Sequence, residues 1–156
     1  MDAIDCKILT ILQQDANIAI ADLAKAVGLS PTPCWKRVQK LESARVILGR
    51  VALVDPHKIG LALTVFVSIE TEDHSQPWLA RFAAAVSAMP EVMDIYRMAG
   101  DVDYLLRVVV ADTGAYDAFY QRLIAAVPLK KVTSRFAMER VKASSAYRIA
   151  GFDSSR

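Results

Sequence analysis

Cysteine, histidine and long apolar runs are scarce in this 156-residue chain, and each scarcity removes a class of answer. The two cysteines, Cys6 and Cys34, stand far apart, both at helical core spacing, and give neither a disulfide framework nor a metal pattern. The two histidines, His57 and His74, fall in expected loops without metal-ligand spacing, so surface positions, no metal and no cofactor are expected. No Gly-rich phosphate loop and no nucleophile elbow occur. The longest apolar run, residues 61–69, is interrupted by Thr64 and Ser68. It is far shorter than the roughly 20 residues of a bilayer-spanning helix. Met1-Asp2-Ala3-Ile4-Asp5 shows no basic segment leading into an apolar one, so no signal peptide is expected. The expectation is a soluble, cytoplasmic chain with no membrane partner.

Charge is equally thin. A net +2 does not by itself imply a nucleic-acid partner, but its distribution is uneven. Residues 59–156 balance, whereas between Lys36 and Arg50 only Glu42 stands against Lys36, Arg37, Lys40, Arg45 and Arg50. Any phosphate-binding surface is therefore local.

That basic stretch begins Ser30-Pro31-Thr32-Pro33-Cys34-Trp35-Lys36-Arg37-Val38-Gln39-Lys40-Leu41. Pro31 and Pro33 suit a first helical turn, and Ser30 or Thr32 can cap it. At about 100° per residue, Cys34, Val38 and Leu41 form a narrow apolar seam. Thr32, Lys36 and Gln39 fall opposite, with Trp35 and Lys40 on the shoulders. Arg37 flanks the seam, where its stem can lie on the core while the guanidinium reaches solvent or phosphate. Such a helix can enter a DNA major groove. Taken alone, the same pattern also describes an ordinary surface helix with a solvated basic face.

The residues before it narrow the choice. Residues 2–14 read as a first helix, with Ile4, Ile8, Ile11 and Leu12 on one face and Asp2 or Asp5 near its positive end. Ile20, Leu23, Ala24 and Val27 define a short second helix that Gly28 ends as a left-handed stop. Two short helices around a tight glycine turn, the second basic, form a helix-turn-helix, and the first helix supplies a third wall. Residues 46–54 read as a short strand pair or an extended connector, and Asp55-Pro56 with Gly60 marks a boundary.

Downstream, residues 61–71 alternate strictly as a strand with one buried face. A helix from Ser75 carries Trp78, Phe82, Val86 and Met89. Residues 92–99 and 104–110 are β-rich runs joined by Gly100-Asp101-Val102-Asp103. A helix over 113–127 and a strand over 132–141 complete β-α-β-β-α-β, the ferredoxin-like split βαβ. The expected organisation is α+β: a helix-turn-helix domain with connector over 1–60, a ferredoxin-like domain over 61–142, to which the resemblance given next assigns ligand sensing and oligomerisation, and a loosely ordered tail over 143–156.

The local residues agree with one family. Asp2-Ala3-Ile4-Asp5-Cys6-Lys7-Ile8-Leu9, Val27-Gly28-Leu29-Ser30-Pro31-Thr32-Pro33, Arg37-Val38 with Leu41-Glu42, Asp55-Pro56-His57-Lys58-Ile59-Gly60, Gly100-Asp101-Val102-Asp103-Tyr104-Leu105-Leu106 and Ser134-Arg135-Phe136-Ala137-Met138 resemble the Lrp/AsnC (feast/famine) transcription regulators. The resemblance runs from about residue 2 to about residue 142. Pro33-Cys34-Trp35-Lys36-Arg37 and Met98-Ala99-Gly100-Asp101 look most like the DecR-type branch, whose regulators are associated with cysteine.

The resemblance implies a winged-type helix-turn-helix that binds double-stranded DNA and a sensing domain that binds a small amino acid, with cysteine one candidate. It also implies homodimers paired through their sheets and further assembly, often to octamers. By position, Ser30, Thr32, Trp35, Lys36, Arg37, Gln39 and Lys40 are the DNA-binding residues: Lys36, Arg37 and Lys40 for phosphates, Thr32, Trp35 and Gln39 for base edges. Met98, Gly100, Asp101, Asp103, Thr133 and Ser134 are the effector residues. A carboxylate suits the ammonium group, and backbone amides near Gly100 or the hydroxyl of Thr133 or Ser134 suit the carboxylate. Two departures from the family pattern stand out. Ala19 occupies a capping position usually held by Ser or Thr, and Val102 stands where a Tyr is usual.

Two rival functions remain at this level. One is an amino-acid-binding module acting through a protein partner without DNA. The other is an enzyme on the ferredoxin-like fold, against which stands the lack of any coherent catalytic set around Asp101 and Asp103.

Overall fold

A computed structural model describes residues 1–149 and divides the chain into two compact units, Met1–Leu53 with the tail from Val141, and Val54–Arg140. In the first unit, α1 (Ala3–Leu12), α2 (Ile20–Val27) and α3 (Pro31–Ser43) enclose Ile8, Leu23, Ala24, Cys34, Val38 and Leu41. The start of α1 is strongly specified. Asp2 is its N-cap and forms a reciprocal capping box with Asp5. Gly28 closes α2 at φ 74°, a left-handed conformation that a side chain would strain. Leu29 then bonds back to the carbonyl of Ala24 at 2.8 Å. The expected weakness at the second helix is present: Ala19 is the N-cap of α2 and offers no side-chain bond.

Two expectations for this unit need correction, and one open alternative is decided. Ser30 is the N-cap of α3, with the expected extended backbone, yet its side chain accepts no capping bond. Part of the reason lies in the sequence itself: a cap serine takes the N–H of the second or third helical residue, and the third is Pro33, which has none, so Thr32 is the one such donor left. Residues 46–54 form no strand pair; the extended connector is what the chain adopts, and no wing ladder forms there. The tail over 143–149 carries no regular element, but it is held: Gln13 clasps both backbone groups of Tyr147, and Ile149 packs on the helical core. The rest of that tail, 150–156, lies outside the described residues.

The second unit begins with a short 3₁₀ turn, His57–Ile59, and continues as β1 (Leu63–Glu70), α4 (Gln76–Ser87), β2 (Val92–Arg97), β3 (Tyr104–Val110), α5 (Thr113–Ala126) and β4 (Lys131–Phe136). The strands form one antiparallel sheet in the order β2-β3-β1-β4, the split-βαβ arrangement expected. The alternation of β1 decides its faces. Val65, Val67 and Ile69 are buried under α4 and α5, while Phe66 points to the opposite, open face. Trp78 and Phe82 stack at 5.0 Å, Phe82 meets Tyr104 at 4.7 Å, and the Trp78 indole donates to the carbonyl of Pro128 at 3.1 Å. Ser75 and Asp112 cap α4 and α5 through the amides of Trp78 and Ala115. The last strand ends at Phe136, earlier than the sequence pattern suggested.

Candidate nucleic-acid interface and effector loop

The seam expected on α3 is present: Cys34, Val38 and Leu41 are 0, 3 and 4 % exposed. They hold the helix to the unit and turn its other side outward. Thr32, Lys36, Gln39 and Lys40 are exposed, and Trp35 stands 51 % exposed on one shoulder. No hydrogen bond or ion pair engages the side chain of Lys36 or Lys40 among the described residues. Gln39 is partly committed, since its Nε2 donates to Glu42 Oε2 at 2.9 Å. Its carbonyl oxygen remains available to accept. Arg50 Nη2 reaches the other oxygen of Glu42 at 3.2 Å, so the one acid in this basic stretch is paired. Burial pushes the Cys34 thiol up, which keeps it protonated and unreactive, with Arg37 opposing weakly.

Arg37 is placed differently from its neighbours. Its Nη1 donates to Asp2 Oδ2 at 2.6 Å and to Asp5 Oδ1 at 2.7 Å. The Asp5 amide and the Arg37 guanidinium hold the Asp2 carboxyl below its ordinary value. Burial pushes the Asp5 carboxyl up, but the Asp2 amide and Arg37 outweigh it and the net shift is downward. Arg37 itself is raised by the same two carboxylates. In sequence the two acids read only as helix-end charges. Nothing in a spacing of 32 or 35 residues marks them as partners of a basic residue on another helix.

At the loop expected to bind the effector, the chain turns tightly between β2 and β3. The Met98 amide donates to the Asp103 carbonyl at 2.8 Å and the Asp103 amide to the Ile69 carbonyl at 2.9 Å. Gly100 sits at φ 137°, a region that favours glycine. The amides of Ala99, Gly100, Asp101 and Val102 donate to no described residue. Asp101 is exposed, and Met98 is 40 % exposed. Asp103, in contrast, takes the Thr71 amide on Oδ2 at 2.8 Å, and His74 Nδ1 lies 3.9 Å from its Oδ1.

The two candidate hydroxyls part company. Ser134 pairs with Val67 and faces the helices, where its hydroxyl bonds the phenol of Tyr116. Burial raises the Tyr116 phenol above its ordinary value, against that hydrogen bond. Thr133 pairs with Ser68 on the open face, beside Arg135, whose Nη1 donates to Ser68 Oγ at 2.8 Å. Both lie across β1 from β3, about two strand spacings of ~4.8 Å each. One protomer therefore does not gather Asp101, Thr133 and Ser134 into a single pocket. Tyr116 and Thr71, which sequence reasoning did not single out, are the direct partners of Ser134 and Asp103. Among the described residues no cluster of His, Cys, Asp or Glu could hold a metal, and no helix is long and apolar enough to cross a membrane.

Known proteins share both units. The pattern of the AsnC-type helix-turn-helix domain matches residues 1–42, and that of the Lrp/AsnC ligand binding domain matches residues 64–147. The chain is 54 % identical over 143 residues to the DNA-binding transcriptional activator DecR of Escherichia coli strain K12, covering 91 % of this chain and 94 % of that one. That accords with the branch suggested by the residues around Trp35 and Gly100. Among solved structures, an AsnC family transcriptional regulator from Agrobacterium tumefaciens superposes with a TM-score of 0.92 at 58 % identity, covering 95 % of this chain and 97 % of that chain. A transcriptional regulator from Neisseria meningitidis, solved as a complex with L-methionine, gives 0.89 at 29 % identity over 95 % and 96 %.

Proposed function

The chain belongs to the Lrp/AsnC family of DNA-binding transcription regulators, and on that premise we propose that α3 is its recognition helix and the β2–β3 loop its amino-acid sensor. The observation that carries the first half is the division of α3 into a buried seam and an exposed polar side. Lys36 and Lys40 neutralise phosphates, Thr32, Trp35 and Gln39 approach base edges in the major groove, and Ser30 lies at the helix start, where its hydroxyl and the Thr32 amide suit a phosphate although Pro31 and Pro33 bring no N–H. Two such heads in a cytoplasmic dimer read half-sites about one helical turn apart.

In the sensor, the exposed Asp101 carboxylate attracts the effector's ammonium group, and the free amides around Gly100 take its carboxylate. Met98 borders its side chain. Thr133, on the open sheet face two strands from the loop, contributes its hydroxyl where subunits meet in an assembly such as an octamer, while Ser134, bonded to the Tyr116 phenol, lies behind it on the helix face. The Neisseria relative's L-methionine complex supports a small amino acid as the class of effector. Effector binding then shifts the placement of the DNA heads by a coupling free energy between the two sites.

Fluorescence anisotropy with DNA from upstream of the protein's own gene, over a salt series, tests the first half. The Lys36→Ala/Lys40→Ala variant is expected to lower the magnitude of the log–log salt slope by about 0.9 for each lost phosphate contact. Salt-independent binding, or an unchanged slope in the double variant, rejects the assignment of α3.

A further inference from the structure

We infer that Arg37 serves DNA binding without touching DNA: it is a positioning residue, clamped by Asp2 and Asp5, that fixes the rotation of α3 about its own axis. This rests on α3 being the recognition helix.

The clamp is built before Arg37 arrives. Asp2 spends Oδ1 on the amides of Ile4 and Asp5, at 3.0 and 2.9 Å, and offers Oδ2 to Arg37. Asp5 spends Oδ2 on the Asp2 amide at 3.0 Å and offers Oδ1. Each carboxylate is thus locked by the α1 capping box through one oxygen and presents the other in a fixed direction. Asp5 is 6 % exposed, so withdrawing the guanidinium to reach a phosphate would leave a buried carboxylate unpaired. Arg37 is held where it is.

The place of the clamp on the helix explains its use. The apolar seam of α3 is narrow and resists a roll about the helix axis poorly. On the Trp35 side of the seam, α3 borders an open groove of about 370 Å³, lined by Trp35, Gln39 and Glu42 together with Leu12, Ile18 and Ile20. Close packing cannot stop a roll in that direction. Arg37 lies on the opposite shoulder, at about 100° per residue roughly 60° from the seam. On the groove side α3 has only the exposed Arg50–Glu42 pair, whereas the double, partly buried tether at Arg37 supplies the firmer resistance. Thr32, Trp35, Lys36 and Gln39 then keep their direction, and so does any set of contacts needing placement within an ångström.

The test uses a sign that simple electrostatics reverses. Asp5→Asn removes a negative charge from a DNA-binding unit, and by charge alone would tighten binding. With the clamp argument, Asp5→Asn and Arg37→Met each weaken anisotropy-measured affinity by about fivefold or more, as expected for coupled side chains. Their salt slopes match the parent protein's, and the double variant is no weaker than the worse single one. The Lys36→Ala/Lys40→Ala protein, measured alongside, checks the recognition-helix reading separately by its reduced slope. Unchanged or tighter binding by Asp5→Asn overturns the inference. A slope reduced by about 0.9 in Arg37→Met overturns it too, by making Arg37 a phosphate contact. If circular dichroism shows Asp5→Asn unfolded, Asp2→Asn, which keeps the buried pair, replaces it with the same expected direction, and undiminished affinity there is equally fatal.

Discussion

The backbone N–H of Thr71 donates to Asp103 Oδ2 at 2.8 Å, which ties the end of β1 to the start of β3. Thr71 is 6 % exposed, so that amide has no water to fall back on. The two acids of the effector loop consequently have different work. Asp103→Ala is expected to cost about 1–3 kcal/mol in the free protein, the desolvation of an orphaned amide, whereas Asp103→Asn keeps an acceptor and recovers most of it. Asp101→Ala leaves the free protein's melting temperature unchanged and removes the shift produced by the amino acid. A thermal-shift panel of amino acids on the three variants reads both effects. Loss of the ligand shift in Asp103→Asn, with Asp101→Ala unaffected, would reverse the roles.

Acid should weaken the N-terminal unit only late. Asp2 and Asp5 both have folded-state carboxyls below the ordinary value of 3.8, through the capping amides and Arg37. A depressed carboxylate contributes stability that is complete above the unfolded value and is lost as pH falls through the folded one. Melting followed by circular dichroism should therefore be flat from these groups between pH 7 and 5 and decline below about 4. Asp73, lowered by its bonds from Ser75, adds to the same window in the second unit. Arg37→Met should make the decline shallower. A drop already complete at pH 5 would show that other groups govern acid stability.

Much of this was readable from residue spacing because the forces involved are local or periodic. The alternation of 61–71 fixed which face of β1 is buried, and Cys34, Val38 and Leu41 at helical spacing fixed which face of α3 is free. What escaped depends on contacts between distant segments. The ion pairs of Arg37 escape a reading of the sequence because its acid partners lie on another helix. The hydrogen bond of Ser134 escapes it because its partner, the Tyr116 phenol, is 18 residues away on a helix. Thr133 and Ser134 were interchangeable as a sequence pair, although adjacent strand residues must face opposite ways. At Ser30 the loss of the cap is half legible in the sequence, since Pro33 removes the third-residue donor while Thr32 keeps the second.

Ala19 is the cheapest place to test the energetics of the helix-turn-helix. Its backbone, φ −62° and ψ 142°, already has the extended shape of an N-cap, and only the side-chain acceptor is absent. Ala19→Ser is expected to stabilise α2 by about 1 kcal/mol. For a unit of this size that raises the melting temperature by roughly 4–8 °C. Affinity for DNA should stay within about twofold, because the change strengthens a helix end and adds no formal charge to the interface. An unchanged melting temperature would mean that water already satisfies those amides as well as serine does.

The clasp between Gln13 and Tyr147 gives the tail a defined attachment. The Gln13 Nε2 donates to the Tyr147 carbonyl at 3.2 Å and its Oε1 accepts the Tyr147 amide at 2.7 Å. One side-chain amide thereby replaces the neighbouring strand that an extended segment would otherwise need. Both bonds are exposed, so Gln13→Ala should cost only about 1 kcal/mol or less. Its effect on the tail should be larger than its effect on the unit, because Ile149 is then the main remaining anchor that the structure shows for the segment. Limited trypsin digestion followed by mass spectrometry separates the two. Cleavage after Lys142 and Arg148 should accelerate several-fold in Gln13→Ala while cuts within residues 3–43 keep their parent rate. Equal acceleration everywhere would mean that Gln13 stabilises α1 as a whole, and no acceleration at Lys142 and Arg148 would mean that the clasp does not hold the tail in solution.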